Sequence, residues 1–344
     1  MRNRKFVTGA VAAVAMLAII LDTKTAVLGA REGIELCLQV IIPSLFPFLV
    51  LGGIVNFWLM GTSWGIVKPL GKLCGMPGGS ESLLLLGFVA GYPVGAQLVA
   101  ETYRSGNISR SAAKRMLGFC NNAGPSFIFG MIAPLFRDPF MAWLLWILQI
   151  LGAITVACIL PKQSSESCVI TNQKSLSLPQ ALHNGIRSLA AVCGWVISFR
   201  IVLSFCNQWF LRAFSPVVQV VFSGFLELSN GCIMLKSIPS EGLRFILASA
   251  MLSFGGLCVG MQTSSVTADL CTGWYFPGKV LQSMITLSVS CFIQPFVFAE
   301  ADAYFIPASM FYILILATVL YCCVLRKNSW HLRKKCDIIQ IASQ

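Results

Sequence analysis

Between residues 87 and 132 the sequence reads GFVAGYPVGAQLVAETYRSGNISRSAAKRMLGFCNNAGPSFIFGMI. Two apolar stretches within it are interrupted in the middle, one at Gly91-Tyr92-Pro93 and the other at residues 121–126. In lipid, the backbone groups freed by such an interruption must be satisfied by protein, water or a ligand. Transporters build binding sites near the bilayer midplane from interrupted helices. The stretch therefore predicts a membrane protein with a site at broken helices.

Composition points to the same class. The chain has 344 residues, is 56% apolar and 11% charged, and has a mean hydropathy of +0.78. Soluble domains carry about 25% charged residues. We therefore expect an all-α polytopic membrane protein with about 8 to 10 membrane segments, some of them broken or re-entrant. We therefore also expect the lipid bilayer to be a partner of the chain.

The net charge of +12 does not indicate nucleic-acid binding. The basic residues lie in short loops and tails, as the positive-inside rule predicts. No basic segment alternates with the stacking aromatic residues that bind single strands. Nucleic acid is therefore not an expected partner.

The side chains that carry most enzyme chemistry form no recognisable pattern. Fourteen cysteines are scattered through apolar runs without C-x-x-C spacing, and His183 and His331 are far apart. Buried cysteine in such runs behaves as a small apolar residue. No nucleophile–base pair and no ATP-binding motif is present. We expect no metal site, no cofactor and no enzymatic activity.

The two ends of the chain predict single helices. Within residues 1–27, Arg2, Arg4 and Lys5 precede an apolar run at residues 6–21, which indicates an uncleaved membrane helix with a cytoplasmic N-terminus. Within residues 299–344, an apolar run at 303–325 is followed by a basic tail, also expected in the cytoplasm.

The middle of the chain divides into two similar halves. A polar linker at residues 161–178 separates a first repeat at residues 28–160 from a second at residues 179–298. Gly224-Phe225 matches Gly87-Phe88, and residues 251–254 match residues 116–119. Secondary transporters often contain two such repeats as an inverted pair.

Several predicted interruptions rest on proline and glycine. Pro43 and Pro47 flank Ser44 and predict either a discontinuous helix or a kink satisfied by neighbouring helices. Glycines four residues apart also permit close helix packing, so part of the signal has a second explanation. The complete set of predicted breaks is Pro43, Pro47, Gly91, Pro93, Gly124, Pro125, Gly231, Gly255 and Gly256.

Polar residues near these breaks are the candidate binding residues. Asn121 and Asn122 are costly in an apolar run unless they meet a ligand or cap a half-helix. Arg200 and Glu227 are intramembrane charges, which either contact substrate or pair with each other, and Arg200 has the further option of reaching the interface. The full candidate set is Ser44, Tyr92, Asn121, Asn122, Ser126, Arg200, Glu227, Asn230, Gln262 and Ser264.

Four motifs resemble the YlbJ family of sporulation integral membrane proteins. The similarity extends from about residue 28 to the C-terminus. The motifs are Gly91-Tyr92-Pro93-x-Gly95-Ala96, Arg115-x-Leu117-x-Phe119-Cys120-Asn121-Asn122-x-Gly124-Pro125, Phe225-Leu226-Glu227-x-x-Asn230-Gly231 and Gly255-Gly256-Leu257-x-Val259-x-Met261-Gln262.

The resemblance implies a fold and a function. It implies two nucleoside-recognition (Gate) domains related to the repeats of concentrative nucleoside transporters. It also implies a role in endospore formation, at the outer forespore membrane or cell membrane of a spore-forming bacterium. The implied activity is movement of dipicolinic acid from the mother cell, and other sporulation membrane proteins are possible partners.

The residues allow a hypothesis for that substrate. Half-helices beginning near Pro43, Pro125 and Gly231 would direct amide donors at a small planar dianion, with Arg200 neutralising one carboxylate. Export of an anion from a negative-inside cell is favoured by about 2.3 kcal/mol per charge per 100 mV, so a uniporter suffices. Two alternatives stay open: a nucleoside or other small-molecule transporter, with Glu227 beside a coupling ion, and a membrane scaffold that transports nothing.

Overall fold

A computed structural model of the protein describes residues 2–60, 67–162, 177–270, 272–298, 304, 307, 310 and 313–325. All regular structure in these ranges is helical. The all-α membrane class predicted from composition is thereby confirmed. The predicted linker lies mostly outside the described residues, and so does the basic tail that follows Leu325.

Within the described ranges, five helical segments are long and apolar enough to cross a membrane: Thr23–Leu59, Phe140–Ile159, Leu178–Trp209, Glu241–Val266 and Tyr275–Val297. Four shorter apolar helices lie at Gly9–Leu21, Pro125–Leu135, Pro216–Leu226 and Ile313–Leu325. Many large apolar side chains point outward, among them Val11, Trp58 and Phe296. An apolar outer surface is what lipid requires.

The N-terminal part is one long helical path. Helix α1 spans Arg2–Leu21, and α2 (Thr23–Leu36) begins where the Asp22 carboxylate accepts a hydrogen bond from Thr25 N. A π-helical turn at Cys37–Ile41 joins α2 to α3 (Ile42–Leu59). Pro43 comes two residues after this turn, and π turns and prolines are both recognised sites of helix distortion. The helix therefore continues through Pro43 and Pro47 and is not interrupted there.

The first half then folds as short helices and one span. Helix α4 (Lys68–Leu73) precedes α5 (Ser82–Val89) and α6 (Val94–Arg104), which are separated by residues 90–93. Helix α7 (Arg110–Met116) is separated from α8 (Pro125–Phe127) by an unwound segment, and the helical path continues through Ile128–Ile132 and Ala133–Leu135. Helix α9 is Phe140–Ile159.

The second half consists of one long helix, two pairs of helices that meet at a short interruption, and two further helices. The long α10 (Leu178–Trp209) begins with a capping box formed by Ser177 and Gln180. Helices α11 (Pro216–Leu226) and α12 (Leu228–Met234) meet at Glu227, and α13 (Glu241–Phe254) and α14 (Gly256–Val266) meet at Gly255. Helix α15 is Tyr275–Val297 and α16 is Ile313–Leu325. Short 3₁₀ turns lie at Leu211–Ala213, Leu235–Ser237 and Ala268–Leu270.

Glycines set the closest helix contacts. A Cβ on Gly29 would lie 2.9 Å from Ile201 Cα, and a Cβ on Gly33 would lie 2.9 Å from Ile197 Cα. These two glycines let the backbones of α2 and α10 approach, as small residues do between membrane helices. The long helices of the two halves are thus packed directly against each other.

The α11–α12 hairpin uses the same device. A Cβ on Gly231 would lie 2.3 Å from Gly224 Cα, so the two arms touch at these glycines. Gly231 was predicted to break a helix, but it lies inside α12 and the interruption is at Glu227. The glycine serves close packing, and the extended backbone of Glu227 makes the turn.

Candidate functional site

The interruptions converge on one cavity that is partly open to the outside. Its wall is formed by residues at the α5–α6, α7–α8 and α11–α12 interruptions and by the π turn and the Pro43 region of the long N-terminal helix. Helix α10 and the part of α14 after Gly256 complete the wall. Both halves of the chain therefore contribute to the cavity.

Five of the predicted binding residues line this cavity: Ser44, Tyr92, Ser126, Glu227 and Gln262. Two of the predicted breaks, Gly91 and Gly124, line it as well. A Cβ on Gly124 would lie 3.0 Å from Gly91 Cα, and Gly91 has a φ of +82°, which favours glycine. Glycine at both positions lets two interrupted backbones meet at the cavity wall.

Glu227 is a buried carboxylate at the tip of the α11–α12 hairpin. Its two oxygens accept hydrogen bonds from Ser229 N at 3.0 Å and Asn230 N at 2.6 Å. It is therefore the N-cap of α12, and the positive end of the helix dipole favours its charge. Among the described residues that line the cavity, Glu227 is charged and none is basic.

Tyr92 connects the two halves across the cavity. Its hydroxyl donates a hydrogen bond of 2.7 Å to the Leu252 carbonyl oxygen in α13. Its ring belongs to the cavity wall, and only 6% of the residue is exposed. Any movement of the α5–α6 interruption relative to α13 must break this hydrogen bond.

Asn121 and Asn122 lie behind the wall and not on it. The Asn121 side chain accepts from Ala96 N at 3.3 Å and donates to Thr263 Oγ1 at 3.1 Å. The Asn122 amide donates to the Phe119 carbonyl at 2.7 Å. Both side chains are fully buried, so they support the unwound segment, the structural alternative that the sequence left open.

Arg200 does not reach the cavity. Its guanidinium pairs with the Glu32 carboxylate, with Nη2 to Oε2 at 2.7 Å and Nε to Oε2 at 3.0 Å. The hypothesis that Arg200 neutralises a substrate carboxylate is therefore not supported by the geometry, and neither is an Arg200–Glu227 pair. Asn230 and Ser264 also lie off the cavity wall, Asn230 as a donor to Glu227 and Ser264 as a donor to Gly260 O.

Sequence reasoning missed a polar cluster behind Tyr92. Lys279 in α15 is fully buried, and it donates hydrogen bonds to the side-chain oxygens of Asn122 and Gln282. Gln282 in turn donates to Asn122 Oδ1 and to the Gln149 carbonyl. A lysine inside the apolar run 275–297 was a visible signal, because an intramembrane charge indicates function by default. The sequence analysis also missed Ser229, which lines the cavity.

The cavity combines three kinds of group. The hydroxyls of Ser44, Ser126 and Ser229 and the amide of Gln262 can donate or accept hydrogen bonds. The rings of Tyr92 and Phe127 offer flat apolar surface, and Glu227 accepts from donors. This set suits reversible binding of a small, flat, polar molecule.

A comparison with curated proteins gives a relative of the same kind. The sporulation integral membrane protein YlbJ of Bacillus subtilis (strain 168) is 24% identical over 302 residues, and the match covers 74% of each chain. No family model and no solved structure matches the chain. The similarity runs through most of the chain, and the apolar helices agree with a multi-pass integral membrane protein. Over most of its length the chain is thus similar to this sporulation integral membrane protein.

Proposed function

We propose that this protein is a transporter of endospore formation, and that it moves dipicolinic acid from the mother cell across the outer forespore membrane. The observation that carries the transport part is the convergence of three helix interruptions on one cavity shared by both halves. Interrupted helices in lipid are tolerated where they line a cavity, and transporters place substrate sites at such points. The sporulation context is inferred from the similarity to the sporulation integral membrane protein YlbJ.

The helix starts around the cavity support an anionic substrate. Gly91 and Tyr92 lie just before Pro93, the N-cap of α6, and Gly124 and Ser126 lie at the start of the helical path that runs to Leu135. The first amides of α6 are already bonded within the protein, so the positive end of the helix dipole is what favours an anion here. A planar dicarboxylate would interact with this positive end and with the serine hydroxyls.

A nucleoside is the second candidate, because Glu227 lies in the cavity. A carboxylate repels a dianion, whereas it accepts hydrogen bonds from the hydroxyl and amino groups of a nucleoside. Tyr92 and Phe127 would stack against the base. The two candidates therefore differ in the role they give to Glu227.

Flux through proteoliposomes tests the proposal. The full chain is reconstituted, and uptake of labelled dipicolinate is measured with and without nucleoside competitors. Gln262→Ala and Ser126→Ala should lower the flux, because both side chains line the cavity. Gln39→Ala is the matched control, since Gln39 is exposed and its side-chain amide donates a hydrogen bond to Glu35.

Each outcome has a defined meaning. Dipicolinate flux that falls in the two cavity variants and persists in Gln39→Ala supports the proposal. Competition by nucleosides, or nucleoside flux alone, moves the assignment to the second candidate. Folded protein that transports neither compound would overturn the transport function and favour a membrane scaffold.

A further inference from the structure

Lys279 is a buried basic residue that lies outside the lining of the binding cavity. Its ammonium nitrogen lies 2.9 Å from Asn122 Oδ1 and 2.7 Å from Gln282 Oε1, and the residue is fully buried. Within the described ranges, no carboxylate forms an ion pair with it. A buried charge held only by neutral amide oxygens is costly, which marks this lysine as a functional group.

The contact with the Tyr92 ring, and not the number of hydrogen bonds, distinguishes the charged form of Lys279 from the neutral form. An ammonium has three N–H donors, and two of them go to Asn122 and Gln282. The nitrogen also lies 5.3 Å from the centre of the Tyr92 ring, within the range of a cation–π attraction. A neutral amine keeps two donors for the two amide oxygens but loses the charge that attracts the ring. Removal of the proton therefore weakens the Tyr92 contact selectively.

Tyr92 transmits this difference to the cavity. The Tyr92 ring lies beside the Lys279 ammonium nitrogen, and Tyr92 also lines the cavity. Its hydroxyl holds the Leu252 carbonyl in the other half of the chain. The charge of Lys279 thus acts on a side chain that both closes the cavity and joins the two halves.

Among the described residues, the titratable groups around Lys279 and Tyr92 are thiols, phenols and the Glu227 carboxylate of the cavity wall. The unwound segment brings the buried Cys120 thiol near it, and the α5–α6 interruption brings the Tyr92 phenol. Helix α9 brings Gln149, while the charged residues Glu241 and Arg244 of α13 bind Arg137 N and the Leu135 and Ile238 carbonyls instead. Neighbouring phenols on α15 and α16 belong to Tyr275 and Tyr321, the latter 3.5 Å from Pro277 O.

We propose that Lys279 binds and releases one proton during the transport cycle, and that this proton sets the position of Tyr92 at the cavity wall. In the release step the Nζ–H bond breaks, the electron pair stays on nitrogen, and the proton passes to water in the cavity once Tyr92 has moved aside. The reverse step restores the observed arrangement. This inference rests on the proposed transport function and makes the transporter proton-coupled, in place of the uniporter that the sequence allowed.

The test is the pH dependence of flux in proteoliposomes that hold the full chain and a pH-sensitive dye. Labelled dipicolinate is the probe, and the pH is varied over about 6 to 9, where exposed lysine and carboxylate groups keep their charge. Wild-type flux should change with pH by up to about tenfold per unit, the limit for one proton, and the dye should report proton movement. Lys279→Met should transport at one rate across the range and move no protons.

Matched variants separate a proton site from a structural role. Lys236→Met removes an exposed lysine and should keep the wild-type pH profile. Tyr92→Phe keeps the ring and should keep the pH dependence, whereas Tyr92→Leu should lose it. If Lys279→Met does not fold, Lys279→Gln supplies a neutral hydrogen-bonding side chain and should give the same flat profile.

Two results would overturn the inference while leaving transport intact. One is wild-type flux that is equal at every pH, and the other is a Lys279 variant that still moves protons. If wild type transports neither dipicolinate nor nucleosides, the proposed function fails, and hydrogen exchange then decides the lysine's role. Protection of residues 87–95 and 119–127, corrected for the intrinsic rate at each pH, should fall with rising pH in wild type only. If the protection depends on pH in the same way in wild type and in the Lys279 variants, the inference is refuted.

Discussion

The carbonyl oxygen of Cys120 is held between the two arms of the α5–α6 hairpin. A Cβ on Gly87 would lie 2.1 Å from this oxygen, and a Cβ on Gly95 would lie 2.0 Å from it. Real Cβ contacts essentially never fall below 3.0 Å, so alanine at either position forces a movement of about 1 Å. The obstacle is backbone, which cannot change rotamer to escape.

The loss of stability in either alanine variant depends on the buried groups that must move. Cys120 is fully buried, and the adjacent Asn121 is tied to Ala96 N and Thr263 Oγ1. Overpacking of this kind costs about 1–3 kcal/mol, and one lost buried hydrogen bond adds about 1 kcal/mol. Gly95→Ala should therefore lower the free energy of unfolding by about 2–4 kcal/mol. Gly87→Ala should have a similar effect.

Thermal unfolding in detergent measures the effect, and substrate flux measures its consequence for the site. Gly194→Ala is the control, because its Cβ meets nothing within 4 Å and it lies inside α10. That change should stabilise the protein by up to about 1 kcal/mol, since alanine is the better helix former. If Gly95→Ala unfolds at the wild-type temperature, the close approach of the hairpin to Cys120 is not a real constraint and the reasoning is refuted.

Three further predictions concern charged residues. Arg200→Gln should leave flux within about a factor of two of wild type, because its Glu32 pair is partly exposed and off the cavity; a complete loss of flux would restore Arg200 as a binding residue. Glu227→Gln keeps a hydrogen-bond acceptor for the α12 N-terminus but removes the negative charge from the cavity. The KM for dipicolinate should therefore fall, and the KM for a nucleoside should rise. Unchanged KM values would place the substrate elsewhere. The pKa of Asp269 lies below its usual value because Arg104 donates hydrogen bonds to its carboxylate, so this pair stabilises the fold at neutral pH and its contribution is lost as the pH falls below about 4. Asp269→Asn should remove that acid-dependent part, at most about 1 kcal/mol in acid unfolding curves, and an identical acid profile would contradict it.

Local chemistry made the class and most interruptions predictable from sequence. An apolar chain with few charges must place its helices in lipid, and glycine and proline weaken a helix interior. The interruptions at residues 90–93, at residues 120–124 and at Gly255 agree with these rules. Pro43 and Pro47 do not interrupt their helix, which continues from a π turn that ends at Ile41, two residues before Pro43.

The division of polar residues between cavity and support was decided only by tertiary structure. Asn122 contacts Lys279 across 157 positions of sequence, and Arg200 contacts Glu32 across 168. Before folding, every buried amide or charge near a break is an equal candidate for ligand binding. Each such group takes whichever partner the packing of the two halves brings within about 3 Å, because an unpaired polar group in a membrane interior is costly. The sequence therefore identified the broken helices, while long-range packing selected which side chains face the cavity they enclose.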